Sequence, residues 1–331
     1  MKKKRILLAI CLLVFVCCVH LFTGCQKGGS EPATEKTQRD STIHIVATIF
    51  PLYDFARAVC GDGSVYIHAD ISMLLSPGME THSYEPTPQD MIRIQDCDLF
   101  LYIGGESDEW VEELLASMDA PVRTLRLMDA VDLLEEEGGE EEEAEYDEHI
   151  WTSPANAARM VEAIRDEICE IVNEKQAELG VESYMPIADM FAANADAYIG
   201  EIRELDGQFR TFFEGTSSRT LFFGDRFPFL YFVKEYGLSY EAAFPGCYEG
   251  SEPSAADITK LVDEARALSV DTIYYIELSN HQIADVIAES TGASTAMIHS
   301  CHNVSKEDFD SRITYLDLMQ NNLETFKGTM K

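Results

Sequence analysis

Residues 43–56, IHIVATIFPLYDFA, and residues 220–233, TLFFGDRFPFLYFV, repeat one local pattern that decides the predicted fold. Each segment begins with a β-branched or aromatic run and continues through a proline into a run with an apolar helical face. Proline is favoured at the first position of a helix, and a strand that leads into a helix begins a parallel βα unit. The repeat therefore predicts two α/β lobes, and the cleft between them is where we expect a binding site.

Strand-like and helix-like segments alternate through the rest of the chain. Residues 99–103 and 272–276 are continuous apolar runs, typical of strands buried on both faces of a parallel sheet. A periodic apolar stripe predicts a long helix over 187–214. We therefore expect an α/β protein of two lobes, each a mostly parallel sheet flanked by helices, joined by that long, rigid helix. The predicted lobes are residues 43–186 and 215–331.

The N-terminus has the pattern of an export signal. Basic residues at 2–5 precede an apolar run over 6–22, which is short for a membrane span, and small residues then precede Cys25. This order resembles a bacterial lipoprotein signal, in which cleavage leaves the cysteine thiol to be acylated. We expect a signal peptide over 1–24, a lipid anchor on Cys25, a flexible tether over 25–42 and a folded part at the extracytoplasmic face of the membrane. An uncleaved signal anchor is the alternative.

The chain is strongly acidic, with 25 Lys and Arg, 59 Asp and Glu, and a formal charge of −34. Loss of the predicted signal peptide would leave 21 basic residues and a charge of −38. Such a surface repels nucleic acid and attracts cations, so we expect no nucleic-acid partner. The run over 135–148 holds nine of the glutamates and is predicted to be a solvated loop that buries nothing. A weak cation-collecting role for this loop is the alternative.

Five of the nine cysteines lie in the predicted folded part. Outside the cytoplasm an odd number allows at most two disulfides and one remaining thiol. Our hypothetical pairs, each within one lobe, are Cys60 with Cys97 and Cys247 with Cys301.

Three histidines, His82, His149 and His299, follow strands or precede helices in separate segments. Imidazole is a good zinc ligand, and loops allow residues distant in sequence to converge on one ion. The spacing alone does not distinguish a metal site from surface or capping histidines, because the sequence has no His-x-x-x-His or Cys-x-x-Cys motif.

Residues 78–86, GMETHSYEP, resemble the signature of the zinc and manganese solute-binding proteins that serve ABC importers, in which a glycine and an acid precede His-x-Tyr-Glu-Pro. Residues 148–154, EHIWTSP, resemble the second metal loop of that family, an acid followed by His, an aromatic residue and a helix that starts at proline. Segments 46–52 and 231–238 match as well. The similarity runs from residue 43 to the C-terminus and includes both ligand loops in order.

The resemblance implies a monomeric metal receptor that delivers one transition metal ion, held between the lobes, to an ABC permease without enzymatic activity. Carried over by position, His82 and His149 are ligands from the first lobe, and the family's late ligand falls on His299. The third position falls on Arg226, which cannot give up its proton to bind a metal. The adjacent Asp225 is the substitute that we favour. Alternatives are that Arg226 is turned away, or that the ion binds His302, Glu252 or Glu277.

Ligand chemistry bears on the choice of metal. Three imidazoles with at most one carboxylate favour zinc over manganese, which prefers oxygen donors. Thiolates of Cys247 and Cys301 are a further alternative. Two other functions also stay open: a surface adhesin-type lipoprotein with a structural metal, and a metal-dependent hydrolase with Glu80 or Glu85 as general base.

Overall fold

The computed structural model describes residues 41–61, 67–80, 84–118, 120–136, 145–179, 187–244 and 253–330. We call the part that carries the first sheet the first lobe, and the part that carries the second sheet the second lobe. In the part of the chain that the structure describes, no helix combines the length and the apolar composition that crossing a bilayer requires.

The first lobe contains a parallel sheet with the strand order β2-β1-β3-β4. Its strands are β1 (Thr42–Ala47), β2 (His68–Met73), β3 (Leu99–Tyr102) and β4 (Thr124–Arg126). Its helices are α1 (Phe50–Cys60), α2 (Pro88–Gln95), α3 (Glu109–Ser117) and α4 (Pro154–Leu179). All four residues of β3 are buried, as its continuous apolar sequence predicts.

A long helix, α5 (Ile187–Gly215), follows α4 and packs against it before the second lobe begins. The second sheet repeats the topology of the first, with the parallel order β6-β5-β7-β8. Its strands are β5 (Thr220–Phe223), β6 (Ser239–Ala242), β7 (Thr272–Tyr275) and β8 (Ser294–Met297). Its helices are α6 (Leu230–Tyr236), α7 (Ala255–Ala267), α8 (Gln282–Thr291), α9 (Lys306–Asp310) and α10 (Tyr315–Thr329).

The predicted α/β class with two parallel sheets and a long helix is confirmed. The two copies of the repeat differ in one detail, which is where the helix begins. Pro51 lies in the first turn of α1, whereas Pro228 precedes α6, which begins only at Leu230.

The C-terminal helix α10 ties the second lobe back to the first. The Tyr315 ring packs edge-on against Phe55 of α1, with ring centroids 5.1 Å apart, and its hydroxyl donates to the carbonyl of Trp151 at 2.8 Å. The buried carboxylate of Asp54 accepts from the Tyr315 backbone N–H and the Tyr198 hydroxyl, both at 2.8 Å. Helices α1, α5 and α10 therefore meet at one fully bonded carboxylate, which fixes their relative positions.

The hypothetical disulfide between Cys60 and Cys97 is wrong. The described thiols are all free: Cys60, Cys97, Cys169 and Cys301. Cys60 packs in the core on one face of the first sheet, whereas Cys97 packs in the cluster on the other face, so the sheet separates them. Burial raises the pKa of both thiols to about 12, which keeps them protonated. Cys301 is free and buried as well, and its hypothetical partner Cys247 lies outside the described residues.

Candidate metal site

The candidate site lies between the lobes, where segments that follow several strands approach each other. A cavity there is lined by Met79 and Glu80 from the segment after β2, by Arg226 after β5, by Glu277 after β7 and by His302 after β8. The carboxyl ends of parallel strands are the usual binding edge of such sheets. The cleft predicted from the repeat therefore exists and contains titratable side chains from both lobes.

His149 is held as a metal-binding histidine would be. The residue is 2% exposed, and its backbone N–H donates to Oδ1 of Asp147 at 2.8 Å. The ring Nδ1 lies 3.3 Å from the same carboxylate oxygen. A carboxylate beside Nδ1 keeps the proton on that nitrogen and leaves the lone pair on Nε2, the arrangement common among histidine ligands of metals.

His302 from the second lobe lies against His149. The two ring centroids are 5.4 Å apart and the rings are nearly perpendicular, at 87°. Trp151 packs against both rings, with centroid distances of 5.4 Å to His149 and 4.8 Å to His302. The Trp151 indole N–H donates to the carbonyl of Ser300 at 2.8 Å, so this platform is itself bound to the second lobe. The buried imidazoles of His149 and His302, which come from opposite lobes, thus lie next to each other.

His299 is engaged elsewhere. Its backbone N–H and carbonyl both bond the side-chain amide of Asn322 at 2.7 Å. Its ring Nδ1 accepts from the backbone N–H of Cys301 at 2.9 Å. The same Nδ1 lies 3.5 Å from Oε1 of Glu277. While Nδ1 accepts from Cys301, the neutral ring carries its proton on Nε2, and that proton would have to move before the ring could bind a metal ion. The hydrogen bonds favour a structural role for His299.

Asp225 is buried and bonded to the backbone on both carboxylate oxygens. Oδ1 accepts from the N–H of Arg226 at 2.9 Å and Oδ2 from the N–H of Ile276 at 3.4 Å. The carboxylate therefore joins the ends of β5 and β7. The adjacent guanidinium of Arg226 donates to both carboxylate oxygens of Glu80, at 3.0 Å and 2.9 Å. Arg226 occupies the position that the resemblance assigns to a metal ligand. Its positive charge is balanced by the negative charge of Glu80, which lies on the other side of the cleft.

Among the described residues, no group of three or more His, Cys, Asp or Glu side chains is gathered closely enough to hold a metal ion by itself. His82, Glu252 and the lipidation candidate Cys25 lie outside the described residues. Glu277 accepts from the N–H and hydroxyl of Ser300 at 2.7 Å and 2.5 Å and so supports the turn that carries His302.

The end of the acidic run is buried, and the prediction that the whole run buries nothing is wrong there. Asp147 is 6% exposed and Glu148 5%. The Glu148 carboxylate accepts from the backbone N–H and hydroxyl of Ser107 at 2.9 Å and 2.5 Å, which supplies the hydrogen bonds that a buried carboxylate needs. Residues 137–144 lie outside the described residues.

A second buried carboxyl group lies beside Glu148. Asp108 accepts from the N–H groups of Ile103 and Gly104 at 2.7 Å and 3.1 Å. Burial, and then the nearby charge of Glu148, raise the pKa of Asp108 to about 7. Both acids line a small cavity that also reaches His302. The surroundings of the imidazole pair are therefore acidic, which favours a cation.

Comparison with known proteins identifies the family. A family model described as "Zinc-uptake complex component A periplasmic" matches residues 45–329. The chain belongs to this family. The family resemblance predicted from the sequence is confirmed.

Two curated relatives are 30% identical to this chain. The high-affinity zinc uptake system protein ZnuA of Bacillus subtilis (strain 168) aligns over 96% of this chain and 97% of its own length. The zinc-binding lipoprotein AdcA of Streptococcus pneumoniae (strain ATCC BAA-255 / R6) aligns over 99% of this chain but only 61% of its own length. This chain thus spans about three fifths of AdcA.

Solved structures show the same fold. The metal-dependent lipoprotein YcdH of Bacillus subtilis has a TM-score of 0.71 and 29% identity, covering 87% of this chain and all of YcdH. Zn(II)-bound AdcA of Streptococcus pneumoniae has a TM-score of 0.70 and 28% identity, covering 87% of this chain and 57% of AdcA.

Proposed function

We propose that this protein binds a transition metal ion between its lobes, zinc in preference to manganese, and delivers it to an ABC permease. The observation that carries the proposal is the buried pair of His149 and His302, whose ring centroids lie 5.4 Å apart although the two residues belong to different lobes. The description of the family as a zinc-uptake component and the zinc-bound structure of AdcA support zinc as the ion.

The proposed ligands are His82, His149 and His302. His302 takes the place predicted for His299, because the ring of His299 bonds within its own turn while that of His302 lies against His149. Asp225, the predicted substitute at the third position, has both oxygens bonded to backbone N–H groups, so we leave it out of the ligand set. Three neutral imidazoles match the preference of zinc for nitrogen donors.

We further propose that residues 1–24 are removed as a signal peptide, that Cys25 carries the lipid anchor, and that residues 25–42 tether a monomeric receptor to the membrane. The names of AdcA and YcdH, both called lipoproteins, support this proposal. Our division of the folded part stays at 43–186, 187–214 and 215–331. The adhesin alternative stays a prediction. The family membership argues against the hydrolase.

A competitive zinc titration against a coloured chelator tests the function. We expect the wild-type protein to bind one zinc ion, and His149→Ala to lose more than about 100-fold in affinity, beyond the range typical of partners outside the ligand set. The matched control is His44→Ala, because His44 is a partly exposed histidine on β1 whose ring Nδ1 lies 3.4 Å from Oδ2 of Asp70. Affinity should also fall below about pH 6.5, where imidazoles protonate. Equal affinities of the two variants, or a flat pH profile, would exclude this site.

A further inference from the structure

Arg226 forms an ion pair that spans the cleft. It follows β5 in the second lobe, and its two terminal guanidinium nitrogens donate to the two carboxylate oxygens of Glu80, which follows β2 in the first lobe. The side chains are 19% and 36% exposed, and the apolar residues Met79, Pro228 and Leu278 line the same cavity. Partial exclusion of water strengthens a charged pair, and the two-pronged geometry requires the planar fork of arginine.

The segment 76–80 is bonded to the second lobe at other points as well. The side-chain amide of Asn303 donates to the carbonyls of Ser76 and Met79, both at 2.9 Å. The N–H of Gly78 donates to the carbonyl of Val304 at 2.8 Å. A first-lobe segment is therefore positioned largely by second-lobe residues. Of these contacts, the pair between Arg226 and Glu80 is the one made by two charged groups.

We propose that Arg226 is a positioning residue that acts through Glu80 as a latch between the lobes. The resemblance assigns a metal ligand to its position, but the guanidinium holds segment 76–80, which leads in sequence to His82, against the second lobe. Because neither charged group is needed as a ligand, the latch forms independently of the ion, and opening it precedes metal release. Only this last step rests on the proposed function.

A double-mutant cycle over Arg226→Gln and Glu80→Gln tests the latch. In protein stripped of metal, we expect the N–H of Gly78 to exchange with solvent about tenfold faster in either single variant than in the wild type. The double variant should exchange at the same rate as the single variants, which corresponds to a coupling energy of about 1.4 kcal/mol between the two side chains. Arg226→Lys, which keeps the charge without the fork, should restore protection only in part. Arg159→Gln breaks an exposed pair with Asp132 and serves as the control.

Zinc release into excess chelator, followed by stopped flow, tests the consequence. We expect release to be about tenfold faster in both single variants, with little change in association rate. Added salt should speed release from the wild type but not from Glu80→Gln, a dependence that a merely structural role for Arg226 would not produce. Unchanged exchange or additive single-variant effects would overturn the latch, and faster exchange without faster release would overturn its proposed role in metal release. If the wild type binds no zinc, the proposed function fails, and the exchange cycle still decides whether the latch exists.

Discussion

His302 lies in a turn that is held together by a series of hydrogen bonds between Glu277, Ser300 and the backbone. Ser300 donates through its N–H and hydroxyl to Glu277, and its hydroxyl oxygen accepts from the N–H of His302 at 3.2 Å. Cys301 has φ +63°, in the left-handed region, and its N–H donates to the ring of His299. This reversal places His302 beside His149. We infer that His299 acts by shaping the turn.

Substitution at the two histidines should therefore separate a ligand from a supporting residue. We expect His302→Ala to lower zinc affinity more than about 100-fold and His299→Ala to lower it about 10-fold, because the second change disturbs the turn but removes no ligand. Chelator competition measures both. The opposite order of losses would restore His299 as the ligand.

Asp108 predicts a stability that depends on pH. Its pKa is about 7 in the folded protein against an ordinary value of 3.8, so between these values the folded chain keeps a proton that the unfolded chain releases. The sign follows directly: the contribution of this group to stability is greatest below about pH 4 and is lost as the pH rises to about 7.

We expect Asp108→Asn to raise the free energy of unfolding by about 1–3 kcal/mol at pH 8 and to leave it nearly unchanged at pH 4. The asparagine oxygen can still accept from Ile103 and Gly104, so the fold should be kept. Urea denaturation at both pH values measures the difference, and Asp132→Asn, at a side chain 99% exposed, is the control. A gain that is the same at both pH values would refute the assignment.

At the scale of elements, backbone hydrogen bonds join the two ends of the acidic run over 135–148. The N–H of Glu136 donates to the carbonyl of Glu145 at 2.9 Å, and the N–H of Asp147 to the carbonyl of Leu134 at 3.0 Å. The hydroxyl of Tyr231, on α6, accepts from Leu134 at 3.0 Å and donates to the carbonyl of Asp147 at 2.9 Å. These contacts among described residues hold the segment that leads to His149.

Replacement of residues 137–144 by Asn-Gly, which suits a tight turn between antiparallel ends, should therefore preserve zinc affinity and the melting temperature. We also expect an unchanged association rate at physiological salt, where charges act only over about 8 Å. Stopped-flow mixing with zinc at low and physiological salt is the measurement. A loss of association rate at physiological salt would favour the collecting role.

At the scale of the whole molecule, one continuous core includes residues of both sheets together with α5 and α10. The two lobes are therefore packed against each other beyond the candidate metal site, and a large opening between the lobes would have to break this core. Metal exchange through local movement of the cleft segments fits this packing better, with the pair between Arg226 and Glu80 as one barrier. Metal held by both lobes should stabilise the closed arrangement in proportion to its contacts there.

Sequence reasoning succeeded where periodicity and local chemistry decide the structure. The repeated βα pattern gave the class and the strands, because apolar runs and a helix-starting proline act locally. Two predictions depended on tertiary contacts and were wrong: Cys60 and Cys97 lie on opposite faces of a sheet, and Glu148 is buried and bonded to Ser107. The assignment of His299 as a ligand stays a prediction, and the contact of His149 with His302 concerns a residue that the sequence offered only as an alternative. None of these contacts has a signature in the local sequence.

The position of the ion itself tests the central claim most directly. Crystals of the zinc-loaded protein, measured at the zinc absorption edge, give an anomalous difference map that locates the metal without any assumption about its ligands. We predict one peak between the lobes, about 2.0–2.1 Å from Nε2 of both His149 and His302. A peak bound to His299 instead, or no peak in the cleft of zinc-loaded crystals, would contradict the account.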